Sequence, residues 1–339
     1  MIQMNRPLLP PAEKLLPYLK RIDDSRWYTN SGPLVREYEE RLESLFGCCV
    51  AATSSGTAAL TAGLIAQERR NDQVVMPSWT FVATANAVRA AGMTPFFVDV
   101  DELTWEGIGA DLMVSPFGAP VKTKMALDAA GAFDACMLKQ IPVGDAPVCI
   151  STHATKCFST GEGGLVLSRD RDLIKRVKSI INHGITPGRD VPVAGINGKL
   201  SEYHAAIGLA EIDDLAWKRG RWLDTKRRYV QAFGDLAHTT PLSSLSWVSP
   251  FFAVRLVGRD GDAVRAKLEA NGIMSRKIWG DGVHKYEAYK RRDGFYKLPV
   301  TKKLAREVVF IPISIDTTDE ELEKIVGAVK EAAEQCASQ

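Results

Sequence analysis

The sequence predicts an α/β protein, with a large domain built on a mainly parallel sheet flanked by helices and a smaller C-terminal α/β domain. Three observations carry this. Short apolar runs alternate with helical repeats from Cys49 to about Gly184, the pattern of strands covered on both faces by helices. A long helical stretch ending near Phe233 interrupts the alternation, which then resumes in a shorter form. The 339 residues, 45% hydrophobic and 25% charged, suffice for one large core and a second, smaller one. The large domain with its N-terminal segment is assigned to residues 1–233 and the small one to 234–339.

Taken in order, "GPLVREYEERLESLF" carries apolar residues at helical spacing, "CCVAAT" is a strand, and "SSGTAALTAGLIAQ" opens a helix after a tight turn. The same alternation follows in "QVVMP", "TFVATANAVRAAG", "TPFFVDV", "KMALDAA", "PVCIST", "GGLVLS" and the helix "RDLIKRVKSIINHG". After the helical stretch "SEYHAAIGLAEIDDLAWKRGRWLDTKRRYVQAF", "WVSPFFAVRLVG" reads as strand, "DAVRAKLEANG" as helix and "REVVFIPIS" as strand. The closing "TTDEELEKIVGAVKEAAEQ" has a threonine-led acidic start and an amphipathic repeat. In such sheets the chemistry lies in loops at the strand ends.

Composition narrows the partners. With 43 basic against 41 acidic residues, the net charge of +2 gives no broad footprint for nucleic acid and points to small molecules. The six cysteines, at 48, 49, 136, 149, 157 and 336, lack the spacing of a structural zinc site and read as reduced thiols of a cytoplasmic protein. The first twenty residues have no apolar core of signal-peptide length, and no later stretch stays apolar long enough to span a bilayer, so secretion and membrane insertion are disfavoured.

Four features could bear chemistry, "GINGKLSEYHAAIGL" and the three that follow. "STHATKCFSTGEGG" sets Lys156 five residues after Ser151 and just before a glycine-rich turn. A nucleotide phosphate loop needs its glycines before the lysine, so that reading is poor. "SSGTAAL", at a strand-to-helix turn, offers amides and hydroxyls to a phosphate or a plain helix cap. "ALDAAGAF" places Asp128 at a strand end, as a ligand to something or as a turn residue. Taken singly, each has an ordinary structural explanation. Together, an amine able to form an imine, a phosphate turn and a strand-end carboxylate are the parts a pyridoxal phosphate site needs.

The motifs "RWYTNSGPLVREYEERL", "SSGTAAL", "PSWTFVATANAV", "FFVDVD", "LDAAGAF", "STHATKCFSTGEGG", "GINGKLSEYHAAIGLAEID" and "LAREVVFIPIS" span most of the chain. In that order they resemble the DegT/DnrJ/StrS group of nucleotide-sugar aminotransferases, pyridoxal phosphate enzymes of the aspartate aminotransferase fold. The resemblance implies that Lys156 links to the cofactor as an imine and then shuttles the proton. It implies that Asp128 pairs with the pyridine nitrogen, that Gly56, Thr57 and Ser151 hold the phosphate, and that Phe81 stacks on the ring, with Trp79 the other aromatic in reach. Asn197 matches an asparagine that reaches the neighbouring subunit's cofactor, which implies a homodimer. Among the basic residues of these motifs, Arg26 and Lys199 are candidates for the sugar-nucleotide diphosphate, each equally readable as a solvated charge. His153 and Glu162 flank the lysine and either act directly or organise the loop.

The implied reaction moves the amino group of glutamate to C4 of a nucleotide-linked 4-keto-6-deoxyhexose, with dTDP favoured over UDP or GDP as the nucleotide, in polysaccharide or antibiotic sugar biosynthesis. The alternatives are a 3-aminating enzyme and a homologue that binds the cofactor without turnover; dehydrating relatives carry histidine where Lys156 stands. Two departures stand out. Gly131 replaces the histidine or glutamine common in the group, and the 26 residues 102–127 are shorter than usual, so helices on that edge should be truncated or missing.

Overall fold

A computed structural model describes residues 1–68, 73–292 and 294–335; Cys336 lies outside them. The chain begins with α1 (Ala12–Ser25) and α2 (Pro33–Phe46). The first of these has no counterpart in the sequence-based expectations, since Pro17 lies inside it and removes a helical donor. Pro33 starts α2, where a missing N–H costs nothing, and Gly47 ends it at φ +67. The Glu202 carboxylate accepts from the Leu34 and Val35 amides (2.7 and 3.0 Å) and so caps α2 from far along the chain.

β1 (Cys49–Thr53), α3 (Gly56–Ala66), β2 (Gln73–Pro77), α4 (Val82–Ala90) and β3 (Thr94–Val98) follow the expected alternation. Residues 99–125 hold only the three-residue strand β4 (Leu112–Val114) and a 3₁₀ turn at Pro116–Gly118, without an α-helix, so the shortened segment crosses this edge as a strap. Then come β5 (Ala126–Asp128), α5 (Phe133–Met137), β6 (Val148–Ser151), β7 (Gly164–Ser168) and α6 (Arg171–Ile180). The main sheet runs β1-β7-β6-β5-β4, with β4, β5 and β6 parallel and β7 antiparallel to both its neighbours. The parallel pair β2-β3 joins the β4 edge through Asp111 N donating to Val75 O (2.8 Å). The sheet is therefore mainly parallel, and Asp128 at the end of β5 pairs with Cys149, two residues before β6 ends at Ser151.

α7 (Glu202–Asp213) and α8 (Leu215–Phe233) lead to the C-terminal part: β8 (Phe252–Arg255), α9 (Gly261–Ala270), α10 (Pro299–Glu307), β9 (Val308–Ile311) and α11 (Asp319–Gln335). β8 and β9 form an antiparallel pair packed against α9 and α11. Arg306 and Glu307, expected in a strand, end α10 instead. The buried Glu307 carboxylate accepts from Arg255 Nε (2.9 Å) and Gly258 N (3.0 Å), and the helical end sets it between them. Trp279 and Phe310 of this part belong to the same apolar core as Trp79 and Phe117. No helix among the described residues is long and apolar enough to cross a membrane.

Candidate active site

The question raised by a lysine ahead of glycines is answered by the turn between β6 and β7. Thr152 N donates to Gly163 O (2.9 Å), Ala154 N to Gly161 O (2.8 Å) and Thr160 N to Thr152 O (2.8 Å). Gly161 sits at φ +82, which lets the chain double back. The glycines thus fold the turn behind Lys156 and leave its side chain in a cavity. Lys156 Nζ lies 5.4 Å from the centroid of the Phe251 ring and has no ion pair among the described residues. Burial pulls its pKa down, while the nearby Asp128 carboxylate opposes the shift.

Asp128 ends β5 with 5% of its surface exposed. Oδ2 accepts from Thr84 Oγ1 (2.7 Å) and Oδ1 from Ala130 N (3.1 Å). Burial raises its pKa; the two hydrogen bonds and Lys156 work against that.

Beside it, Ser55 caps α3 by accepting from Ala58 N (3.1 Å). The first two helical amides, of Gly56 and Thr57, lie ahead of any intrahelical acceptor. A Cβ at Gly56 would lie 2.7 Å from Ser151 Cβ, so glycine alone lets the start of α3 press on the end of β6. The dipole and free amides of this helix start suit a dianion, with Ser151 at its rim.

Gly56, Thr57, Phe81, Asp128, Ser151 and Lys156 all line a single cavity of about 650 Å³. Phe81, at the N-cap of α4, is 56% exposed, whereas Trp79 is 2% exposed and packs edge-on against Trp105 and Trp279. Of the two aromatics, only Phe81 faces the cavity. His153 Nδ1 lies 2.9 Å from Thr155 Oγ1, and its Nε2 lies 3.7 Å from Glu162 Oε1; both residues sit on the cavity wall.

Arg26, Asn197 and Lys199 do not line that cavity. Arg26 closes α1 at φ +50, and Lys199 donates to Asn197 Oδ1 (2.8 Å) beside the end of β1.

The opposite wall comes from residues the sequence did not single out: Phe117 on the strap, and Phe251, Arg276 and Trp279 from the C-terminal part. Phe117 and Trp279 stack with centroids 3.8 Å apart. Arg276 has no ion pair among the described residues, whereas the neighbouring Lys277 is held by Asp262 (2.5 Å). An arginine and a tryptophan close together in "RKIWG" were the only local signal. Gly131 meets the strap: a Cβ there would lie 3.1 Å from Gly118 N and 3.2 Å from the Phe117 carbonyl carbon. The short strap and the missing side chain at position 131 therefore occupy one space.

The donor set fits pyridoxal phosphate: a buried carboxylate, a desolvated lysine without an ion pair among the described residues, and a helix start that leaves no room for a Cβ, all on one cavity. Comparisons with known proteins agree. The family model described as "DegT/DnrJ/EryC1/StrS aminotransferase family" matches residues 11–109 and 118–330, and its break falls in the strap. The dTDP-4-amino-4,6-dideoxy-D-glucose transaminase of Shigella dysenteriae is 27% identical over 368 aligned residues, covering 97% of this chain and 98% of that one. The aligned length exceeds the 339 residues present here, so that relative carries segments this chain lacks. The structure of DesI with its TDP-sugar product is 28% identical, with a TM-score of 0.82, and covers 98% of this chain and 93% of that one. NtdA from Bacillus subtilis with bound PMP, at 23% identity, TM-score 0.82 and coverage of 98% and 87%, shares the fold.

Proposed function

The chain belongs to the DegT/DnrJ/EryC1/StrS aminotransferase family and is a pyridoxal phosphate-dependent aminotransferase, and from that premise we propose that it moves the amino group of glutamate to C4 of a dTDP-linked 4-keto-6-deoxyhexose. One observation carries the reading: Lys156, Asp128 and the start of α3 open onto the same cavity. The relatives named for dTDP-4-amino-4,6-dideoxy-D-glucose and for a TDP-sugar product support the substrate class. A nucleotide-linked substrate fits a cytoplasmic setting.

The bound cofactor supplies an electron sink conjugated to the reacting amine. The protein supplies the rest. Lys156 Nζ, uncharged more readily because it is desolvated, takes the proton from the donor's α-carbon and returns one to the sugar carbon. Asp128 would hold a negative charge against the ring nitrogen. Ser151 and the Gly56 and Thr57 amides would hold the phosphate, and Phe81 would cover a ring face. Arg276, free of any carboxylate partner among the described residues, takes the carboxylate of the donor.

Arg26, Asn197 and Lys199 serve the site of a second copy, which makes the working unit a homodimer. Their absence from their own chain's cavity and the exposed Trp27, Tyr28 and Tyr203 on the adjoining surface support this.

The test is an absorbance spectrum with pyridoxal phosphate before and after glutamate, in the unmodified protein and in Lys156→Ala. A band that glutamate converts only in the unmodified protein supports aminotransfer, and dTDP-linked 4-keto and 3-keto sugars then decide the position. A spectrum that glutamate leaves unchanged removes glutamate as donor.

A further inference from the structure

Behind Asp128 lies a pair of buried hydroxyls that the reaction described above does not use. Thr84, in the first turn of α4, is wholly buried, and Thr80 is 1% exposed. Thr84 Oγ1 stands 2.7 Å from Asp128 Oδ2, 2.9 Å from Thr80 Oγ1 and 3.0 Å from the Phe81 carbonyl oxygen. Each hydroxyl has one hydrogen to give, and an ionised carboxylate can only accept. With Asp128 charged, Thr84 must donate to it and accept from Thr80. The Phe81 carbonyl is then served by the Thr84 amide (3.1 Å). If Asp128 gains a proton it becomes a donor, and the Thr84 hydrogen turns to the Phe81 carbonyl. The direction of the chain thus follows the charge on Asp128.

We propose that Thr84, backed by Thr80, is a positioning residue that holds Asp128 as a carboxylate aimed at the cofactor and ties its charge state to the backbone of the ring-covering Phe81. The proposal rests on the cofactor reading given above. The other groups facing Asp128 are Lys156, from the turn after β6, and the Cys149 thiol, on β6. The thiol stays protonated, since burial drives its pKa far up, and the lysine acts on Asp128 without a hydrogen bond among the described residues. Thr84 and the Ala130 amide are therefore the donors that favour the carboxylate. Thr84 alone also touches the segment that carries Phe81.

A purely structural role, with the hydroxyl serving only the Phe81 carbonyl, makes different predictions. Thr84→Val keeps the shape and deletes the donor; Thr84→Ser keeps the donor. In cofactor-free protein, carbon-13 NMR of the Asp128 carboxyl should show its midpoint rising by about one to two pH units in Thr84→Val, the loss of one hydrogen bond to a charge. Thr84→Ser should restore it, and Thr80→Val should shift it in the same direction by less. With pyridoxal phosphate bound, Thr84→Val should lower kcat about tenfold with KM changed less than about twofold, and should move the pH dependence of the cofactor's absorption band. An Asp128 midpoint that stays put in Thr84→Val, or a serine variant that fails to restore it, overturns the proposal. Failure of the loaded protein to react with glutamate would count against the aminotransfer reading and leave the NMR result to decide this one.

Discussion

Two lysines lie in apolar surroundings against aromatic rings, and only one of them opens onto a cavity. Lys156 Nζ is 5.4 Å from the Phe251 ring centroid, and Lys226 Nζ is 3.9 Å from that of Trp247. Burial lowers both pKa values, that of Lys226 to about 7, and neither lysine has an ion pair among the described residues. Lys226 is 1% exposed and donates to the Trp247 carbonyl oxygen (2.9 Å), so its amine is sealed and spoken for. Lys156 shares its cavity with Asp128 and the start of α3. Desolvation makes an amine reactive, but access to a cavity decides whether that reactivity is used.

The sharpest way to break the comparison is to remove each amine in turn. Lys156→Ala should cost kcat about 10⁴-fold, the upper end for a positioned acid and base. Lys226→Met should leave kcat within about twofold, because the sealed amine touches no reacting group. Steady-state kinetics of the two variants side by side tests this; equal losses would erase the distinction.

Next in size is the carboxylate that shares the cavity with Lys156; the one near Lys226, Asp134, is paired with Arg219 (2.7 Å). Asp128→Asn keeps the shape and removes the charge, and kcat should fall about 10²- to 10³-fold, the range for losing one preorganised electrostatic group. The same variant should raise the lysine's acidity, since the carboxylate is what opposes desolvation there. A pH profile of kcat/KM moved to lower pH would show it, and an unmoved profile would mean the two groups do not communicate.

The cavity's far wall gives a smaller effect, confined to one half of the reaction. Arg276→Gln should raise the KM for glutamate about 10- to 100-fold, as for one lost hydrogen bond to a charge, with the keto-sugar half little changed. Stopped-flow spectra of the two half-reactions separate these. A loss on the sugar side instead would assign Arg276 to the nucleotide diphosphate.

The two walls also differ in how well they could be read from sequence. Asp128, Gly56, Thr57 and Ser151 sit at ends of short apolar strands or at the first turn of a helix, and Lys156 in the turn that follows one such strand, so each junction is written within about ten residues. Phe117, Phe251, Arg276 and Trp279 reach the cavity only through packing between distant segments, and Phe117 does so at φ +53, a conformation no local pattern predicts for phenylalanine. Thr84 looks like any helix threonine until β5 brings Asp128 against it. The missing helices of the 102–127 edge were legible by length alone. The closing of the strap on Gly131 is set by packing between distant segments, which no local pattern carries.

The smallest expected effect belongs to the sealed lysine, and pH gives it a sign. Burial brings Lys226 to about 7 in the folded protein, whereas an unfolded chain holds a lysine near about 10.4. Between those values the unfolded state binds the extra proton, so stability rises with pH across that window. The slope is at most about 1.4 kcal/mol per pH unit. The penalty is full below the folded value and gone above the unfolded one. The Trp247 carbonyl and ring favour the charged amine and so narrow that window. Lys226→Met deletes the titration and keeps most of the apolar stem. It should stabilise the protein by about 1 kcal/mol near neutral pH, as when a buried charge gives way to a packed apolar side chain. Nearer the unfolded value the gain should vanish, because the neutral amine no longer carries a penalty and the Trp247 carbonyl has lost its donor. Denaturant unfolding of both proteins at the two ends of the window measures the difference. A gain that persists at the alkaline end would mean that Lys226 costs the fold through poor packing rather than through its charge, and the likeness between the two lysines would then reduce to their aromatic neighbours.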